Sequence, residues 1–355
     1  MDNLEPTINL LNFDRPSLRT YFIALGEKPF HADQIIQWIH QYGHQTFDQM
    51  TNLSKKLREY LIQHAEVKPP QLVQEQISQD GTRKWLLQLE DGQQIETVYI
   101  PEKSRGTLCI SSQAGCALKC AFCATGQLGC KRNLTVAEII GQLWFAVRRL
   151  SAEQPDRERI ITNVVLMGMG EPLLNFDNVI KATQLMMDTF AYGFSKYRVT
   201  LSTVGIVPAI DQLSKISDIS LAVSLHAPTD EIRDQLIPIN RQYPLHALMA
   251  ACRRYFETDK RRKVTFEYVM LKGINDSPAQ AKALVKLLQG IPSKVNLLLF
   301  NPVSGVHYEP STDEAVDAFW AVLTKAGLQT QLRRRRGSDI AAACGQLAGS
   351  VSTNK

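Results

Sequence analysis

The segment from Gln113 to Asn133, QAGCALKCAFCATGQLGCKRN, constrains this chain more than any other. Cys116, Cys120 and Cys123 stand in a C-x3-C-x2-C spacing, with Phe122 just before the last thiol. Thiolates this close on a looping segment can converge on one soft metal centre, and a [4Fe-4S] cube normally takes four of them. Three ligands leave one iron open to chelate a small molecule. Zinc with a fourth ligand elsewhere is the rival reading, but structural zinc usually draws paired cysteines and no second pair is present. Seven cysteines in a chain of 355 residues also make a poor disulfide framework.

Composition narrows the setting. An apolar fraction of 44% with 21% charged residues suits a globular protein with a sizeable core. No apolar run approaches the ~20 residues of a membrane span. The opening MDNLEPTINLLNFDRPS is acidic and polar, so no secretory signal is expected and a reducing cytoplasm is. The net charge of +5 suits a polyanionic partner without requiring one. Its clustering says more: Arg333 to Arg336 form an unbroken run, Lys260 to Lys263 another, and Lys131-Arg132 follow the cysteines. Such runs read either as solvated surface or as phosphate contacts, and the arginine run favours the latter.

From Ser17 to Ala65 the period is helical. Leu18, Tyr21, Phe22 and Leu25 share one face, as do Ile35, Ile36 and Ile39, and Gly26 and Gly43 read as helix stops. This predicts a small helical module that packs on a partner or contacts RNA. Between Pro69 and Pro101 the period becomes two, and Asp80-Gly81 and Asp91-Gly92 mark hairpin turns. In the last of these strands the Glu96 face is the less apolar, so Glu96 reads as a solvent-facing carboxylate.

Beyond Gly106 short Val/Ile/Leu runs alternate with amphipathic helices. Six runs, TLCISS, NVVLMG, YRVTLST, ISLAVSL, KVTFEYVML and KVNLLLFN, predict parallel strands covered on both faces, an incomplete (β/α)6 barrel. Its site should lie at the carboxyl ends of the strands. There stand Gly170 and Glu171, Ser202, Ser224-Leu225-His226, and Asn301, which read as ligand contacts. Glu171 could accept from an ammonium group. The predicted organisation is a helical module over 1–66, a linking antiparallel hairpin segment over 67–101, a barrel over 102–340 and a C-terminal segment over 341–355. Of the other cysteines, Cys130 and Cys252 read as inert core thiols. Cys344 follows the arginine run, where positive charge would favour its thiolate.

Taken together, QAGCALKCAFCATGQLG, RNLTVAEI, GMGEPLLN, STVG, SLHA, FNPV and RRRRGSDIAAACGQLAG resemble the radical S-adenosylmethionine (SAM) superfamily. Within it they resemble the RlmN family of RNA adenine carbon-2 methyltransferases. Departures are Cys130, where an aromatic is expected, and Ser338, where an acid is. The resemblance implies a [4Fe-4S] cluster on Cys116, Cys120 and Cys123, with SAM held by Gly170, Glu171, Ser202, Ser224, Leu225, His226 and Asn301. It implies that Cys344 accepts a methyl group from one SAM and that a radical made from a second removes hydrogen from it. The resulting carbon radical adds to adenine, giving a covalent RNA–protein adduct. Glu96 would then take the carbon-2 proton and Cys109 would attack the Cys344 sulfur, leaving a Cys109–Cys344 disulfide. The implied partners are 23S rRNA, tRNA and a low-potential electron donor such as flavodoxin, acting on a monomer free of membranes. Rival readings are an adenine carbon-8 methylase, a radical SAM enzyme acting on a small molecule, and a non-enzymatic RNA-binding protein with a structural metal.

Overall fold

The computed structural model describes residues 7–157, 159–257, 262–333 and 335–348. Of the two longer basic runs, Lys260, Arg261 and Arg334 lie outside the described residues. The chain opens with a short strand β1 (Ile8–Asn9), followed by helices α1 (Arg15–Ala24) and α2 (Phe30–Ile36). A π-helical turn at Gln37–Gln41, helix α3 (Lys55–His64) and strand β2 (Ala65–Glu66), parallel to β1, complete the module. Asp14 caps α1 by accepting from the Ser17 N–H at 2.9 Å, and Ser54 caps α3 through the Leu57 N–H at 3.1 Å. Leu18, Phe22, Ile35, Ile36, Ile39, Leu57 and Leu61 are buried together. Burying each contributes about 1.5–3 kcal/mol. An exposed pair such as Lys55–Glu59 contributes at most about 1 kcal/mol, so the apolar stripe builds this module.

The module packs on its own chain. The π turn frees the Ile39 carbonyl, which accepts from Trp144 Nε1 at 2.8 Å. It also turns buried His40 inward, its Nδ1 3.2 Å from the Tyr192 hydroxyl.

Strands β3 (Gln71–Ile77), β4 (Arg83–Gln88) and β5 (Gln94–Pro101) form an antiparallel meander. Its turns fall at the expected dipeptides, with Gly81 and Gly92 both at φ 82°. β5 pairs antiparallel with β6 (Gly106–Cys109), so the meander and the barrel share one sheet. A separate hairpin, β7 (Gln113–Cys116) and β8 (Gly129–Asn133), brackets the cysteine loop and the short helix α4 (Ala124–Gln127). The remaining units are α5 (Val136–Glu153), β9 (Asn163–Leu166), α6 (Phe176–Met187), β10 (Val199–Thr203), α7 (Val207–Ile216) and β11 (Ser220–Ser224). They continue with α8 (Asp230–Leu236), α9 (Leu245–Tyr255), β12 (Val264–Met270), α10 (Pro278–Leu287), β13 (Ser293–Leu299), α11 (Asp313–Lys325) and β14 (Gln329–Arg333). Among the described residues the main sheet has ten strands in the order β3-β4-β5-β6-β9-β10-β11-β12-β13-β14, parallel from β6 onward.

β14 is a strand beyond the six expected, and it ends in Arg333, the first residue of the arginine run. It is an exposed edge strand of mostly polar residues and lacks the apolar run that marks a strand covered on both faces. Two further basic residues are committed to the fold. Arg132 makes a bidentate bond to Glu138 at 2.7 and 2.8 Å and a third to Asp91 at 2.6 Å. Arg262 lies buried over the Tyr255 and Phe256 rings.

Two predictions follow from this packing. Burial pushes the His40 pKa down to about 3 from the ordinary 6.5, so the folded state disfavours the protonated ring. That contribution to stability is complete above pH 6.5 and is lost as pH falls toward 3. Replacing His40 by Gln should therefore reduce the stability lost between pH 7 and pH 5 by on the order of 2 kcal/mol in denaturant titrations; an undiminished loss contradicts this. Gly115, at φ 83°, has no room for a side chain, because a Cβ there would stand 1.9 Å from the Gly129 carbonyl oxygen. Gly115→Ala should open the β7–β8 hairpin and leave reconstituted protein nearly free of iron, whereas iron content equal to the parent's would show the hairpin to be dispensable.

Candidate active site

A cavity of about 450 Å³ opens at the carboxyl ends of the parallel strands. Its wall includes Cys109 from the end of β6, Ser202 from β10, Ser224 from β11, Glu267 from β12 and Arg333 from β14. Cys116, Cys120, Cys123 and Cys344 complete a set of five thiols on one space.

The cysteine loop is pinned from two sides. The Ala121 N–H donates to the Leu236 carbonyl at the end of α8 at 3.0 Å, and the Ala124 N–H donates to Gly345 at 2.8 Å. Thr125 Oγ1 adds a bond to the Leu347 carbonyl at 2.6 Å. Burial pushes the Cys116 thiol up to about 12 and Cys120 well above its ordinary value. Thiols this deep become thiolates only where a cation offsets the burial. No three His, Cys, Asp or Glu among the described residues are placed to hold one metal ion. The thiols nonetheless share a wall and feel one another's charge, an arrangement suited to separate corners of a cube.

The strand-end residues gather here. Gly170, at φ 97°, lies so close to Gln113 that a Cβ would come within 2.5 Å of it. The Glu171 carboxylate is buried and accepts from the Val204 N–H at 3.0 Å and the Leu173 N–H at 3.1 Å. Burial raises its pKa to about 7 against those bonds. His226 Nδ1 accepts from the Val269 N–H at 3.0 Å, which assigns the ring proton to Nε2. Burial, reinforced by Arg233, pulls its pKa down to about 3, and the ring meets Phe122 edge-on at 4.8 Å. Gly170, Glu171, Ser202, Ser224, His226 and Asn301 all line the cavity. Leu225 is buried outside the lining, its carbonyl taken by Arg233 and its N–H by Glu267.

Cys344 rides on a strap along the cavity rim. Asn301 Nδ2 donates to its carbonyl at 3.4 Å, Lys84 Nζ to Ala341 at 3.3 Å, and the Gly337 N–H to Asp80 at 3.1 Å. Its side chain keeps surface open to the cavity. Even so, its pKa is raised to about 12, first by burial and then by Glu267 and Cys123, with Arg333 opposing. The residue lies on the cavity surface, yet the surrounding protein walls enclose it. The thiolate expected from the arginine run is therefore not favoured in this surrounding: one arginine is outweighed by the enclosing walls and a carboxylate. Cys109 is likewise raised to about 12, by burial and then by the Cys344 charge.

Two other expectations need correction. Glu96 is 2% exposed rather than solvent-facing, because β5 is an interior strand covered on both faces. Its carboxylate pairs with Lys84 Nζ at 2.9 Å and accepts from the Ala348 N–H at 2.6 Å, behind the strap and outside the cavity lining. Cys130 is exposed on β8 rather than in the core, whereas Cys252 is buried on α9 as expected. Sequence reasoning missed Glu267 and Arg233. A lone acid inside the apolar run of β12 was a signal for Glu267; Arg233, in the polar helix DEIRDQL, gave none.

The residues present fit an iron–sulfur cluster with SAM beside it. The three thiols of the loop line the cavity together with the strand-end residues. Asn301 Oδ1 is buried in the same wall with no partner among the described residues, an acceptor left open to a ligand donor.

Comparison with known proteins agrees. Residues 8–67 match the ribosomal RNA large subunit methyltransferase N-terminal domain, and residues 110–284 match the radical SAM superfamily. The chain is 53% identical over 345 residues to the dual-specificity RNA methyltransferase RlmN of Marinobacter nauticus, covering 97% of this chain and 93% of that one. A crystal structure of a radical SAM methyltransferase from Sphaerobacter thermophilus superposes with a TM-score of 0.89 at 40% identity, covering 97% of this chain and 100% of that one. With the cysteine loop, the partial barrel and the N-terminal module all matched, the chain belongs to the RlmN family of radical SAM RNA methyltransferases.

Proposed function

We propose that this chain methylates carbon 2 of an adenine in 23S rRNA and in certain tRNAs, with Cys344 carrying the incoming carbon. One observation carries the reading: five of the seven cysteines face a single cavity, and the two outside it, Cys130 and Cys252, are those given no role. Carbon 2 of adenine has no lone pair, so a nucleophilic sulfur must take the methyl group first. Cys116, Cys120 and Cys123 hold the [4Fe-4S] cluster, and Gly170, Glu171, Ser202, Ser224, Leu225, His226 and Asn301 hold SAM. When bound, these groups supply the methyl and a radical able to remove hydrogen from it.

The chain's own residues do the rest. Cys344 presents its sulfur to the cavity, and the strap fixes its height above the strand ends. Cys109, on the same wall and within the field of Cys344, is the resolving thiol: its sulfur bonds to that of Cys344 as the carbon–sulfur bond breaks. Glu96 is the proton acceptor. Its carboxylate pairs with the Lys84 ammonium and accepts from the Ala348 N–H.

Arg333, Arg335 and Arg336 line the mouth and suit RNA phosphates. An adenine must leave its stack to enter, which favours unpaired RNA. We assign RNA docking to the helical module over 1–66, with 67–101, 102–340 and 341–355 as linking sheet, barrel and the C-terminal segment that carries Cys344. A monomer in the cytoplasm, reduced by a low-potential donor such as flavodoxin, completes the reading. Among the described residues no helix is long and apolar enough to cross a membrane.

Nucleoside mass spectrometry of RNA from anaerobic reactions tests this. Cys344→Ala should keep its iron yet lose at least a hundredfold in 2-methyladenosine, and Cys109→Ala should accumulate an RNA–protein adduct. Product from Cys344→Ala at the parent rate would overturn the role of Cys344, and methylation at carbon 8 would overturn the position.

A further inference from the structure

Arg233 is fully buried on α8, although charged side chains are almost never so. Its guanidinium donates to the Leu225 carbonyl at 3.1 Å, the Ser224 carbonyl at 3.2 Å, the Val204 carbonyl, and Asn240 Oδ1 at 2.7 Å. Every one of these acceptors is a neutral oxygen. Neutral acceptors satisfy the hydrogen bonds but leave the charge standing, and a buried charge without an ionic partner is costly. Asp230 and Asp234 lie nearby, but both are bonded to Asn240 Nδ2, at 2.9 and 2.7 Å, rather than to the guanidinium.

The cation sits behind the wall that Cys120 shares, since Val204 and Ser224, whose carbonyls it binds, line the cavity together with that thiol. Three residues after Arg233, the Leu236 carbonyl at the end of the same helix accepts from the Ala121 N–H, next to Cys120.

We propose that Arg233 is a positioning residue that serves as the fixed counter-charge of the iron–sulfur cluster, raising its reduction potential while its fork ties the ends of β10 and β11. Three thiolates make the reduced cluster an anion, and a nearby buried cation stabilises the reduced state more than the oxidised one. Water cannot screen the effect here. The inference rests on the cluster assignment above and not on the roles of Cys344 or Glu96.

The test is the midpoint potential of the reconstituted cluster, followed by electron paramagnetic resonance in a redox titration without RNA. Arg233→Gln, which removes the charge, should shift the potential to more negative values. Arg233→Lys should hold it near the parent's while weakening SAM binding several-fold, because the fork is lost. A purely structural role would weaken SAM binding in both variants and leave both potentials at the parent value, overturning the proposal. If Arg233→Gln does not fold, Asp234→Asn decides: it removes a negative charge beside Arg233 and can still accept from Asn240. The potential should then rise, and an unmoved potential overturns the proposal. Absence of iron from all proteins, the parent included, would sink the cluster assignment instead.

Discussion

Three thiols spaced by three and two residues can serve one centre only if the backbone between them is held in a tight, non-repeating path. Such a path leaves N–H and C=O groups that no helix or strand will pair. Here the chain meets them from outside: α8 takes the Ala121 N–H and the C-terminal strap takes the Ala124 N–H. The two elements that brace the loop are also those that carry Arg233 and Cys344. The geometry of the loop, the charge near it and the placement of Cys344 are thus one mechanical problem with one solution. The β7–β8 hairpin closes the loop's base, and its register sets Gly115 opposite Cys130, where the Gly129 carbonyl leaves no room for a side chain.

Around that loop the fold accepts local costs. Glu171, Glu267, Arg233 and His226 are all buried in or beside a cavity that an apolar core would fill more favourably. Backbone bonds compensate in part: Glu171 takes two N–H groups, His226 one, and Arg233 binds three carbonyls. The barrel can carry such costs because its strands and helices bury a large continuous core, joined by the N-terminal module through Trp144 and Tyr192. In the cavity wall Asn301 Oδ1 is buried without a partner among the described residues.

How much of this could be read from the sequence depended on whether the signal was local. The Asp-Gly turns and the apolar runs of β6 and of β9 to β13 are local patterns, and each gave its element. Strand ends followed from the runs, which placed Gly170, Glu171, Ser202, Ser224, His226 and Asn301 on one wall. What failed was tertiary. Glu96 looked exposed because alternation describes one strand and cannot reveal that a strap covers its polar face. The environment of Cys344 was misjudged because the enclosing walls and Glu267 outweigh Arg333, while Arg335 bonds the Phe300 carbonyl and Arg336 lies 3.8 Å from Asp80. Arg233 gave no signal, since an arginine among acids on a short helix reads as surface.

The central claim is that the carbon delivered to RNA is first bound to Cys344 and loses a hydrogen there. The most direct measurement gives reconstituted enzyme SAM with a fully deuterated methyl group and weighs the methyladenosine released from the RNA. The account predicts 2-methyladenosine retaining two of the three deuteriums. Retention of all three would mean that the methyl group moved intact, and would contradict it.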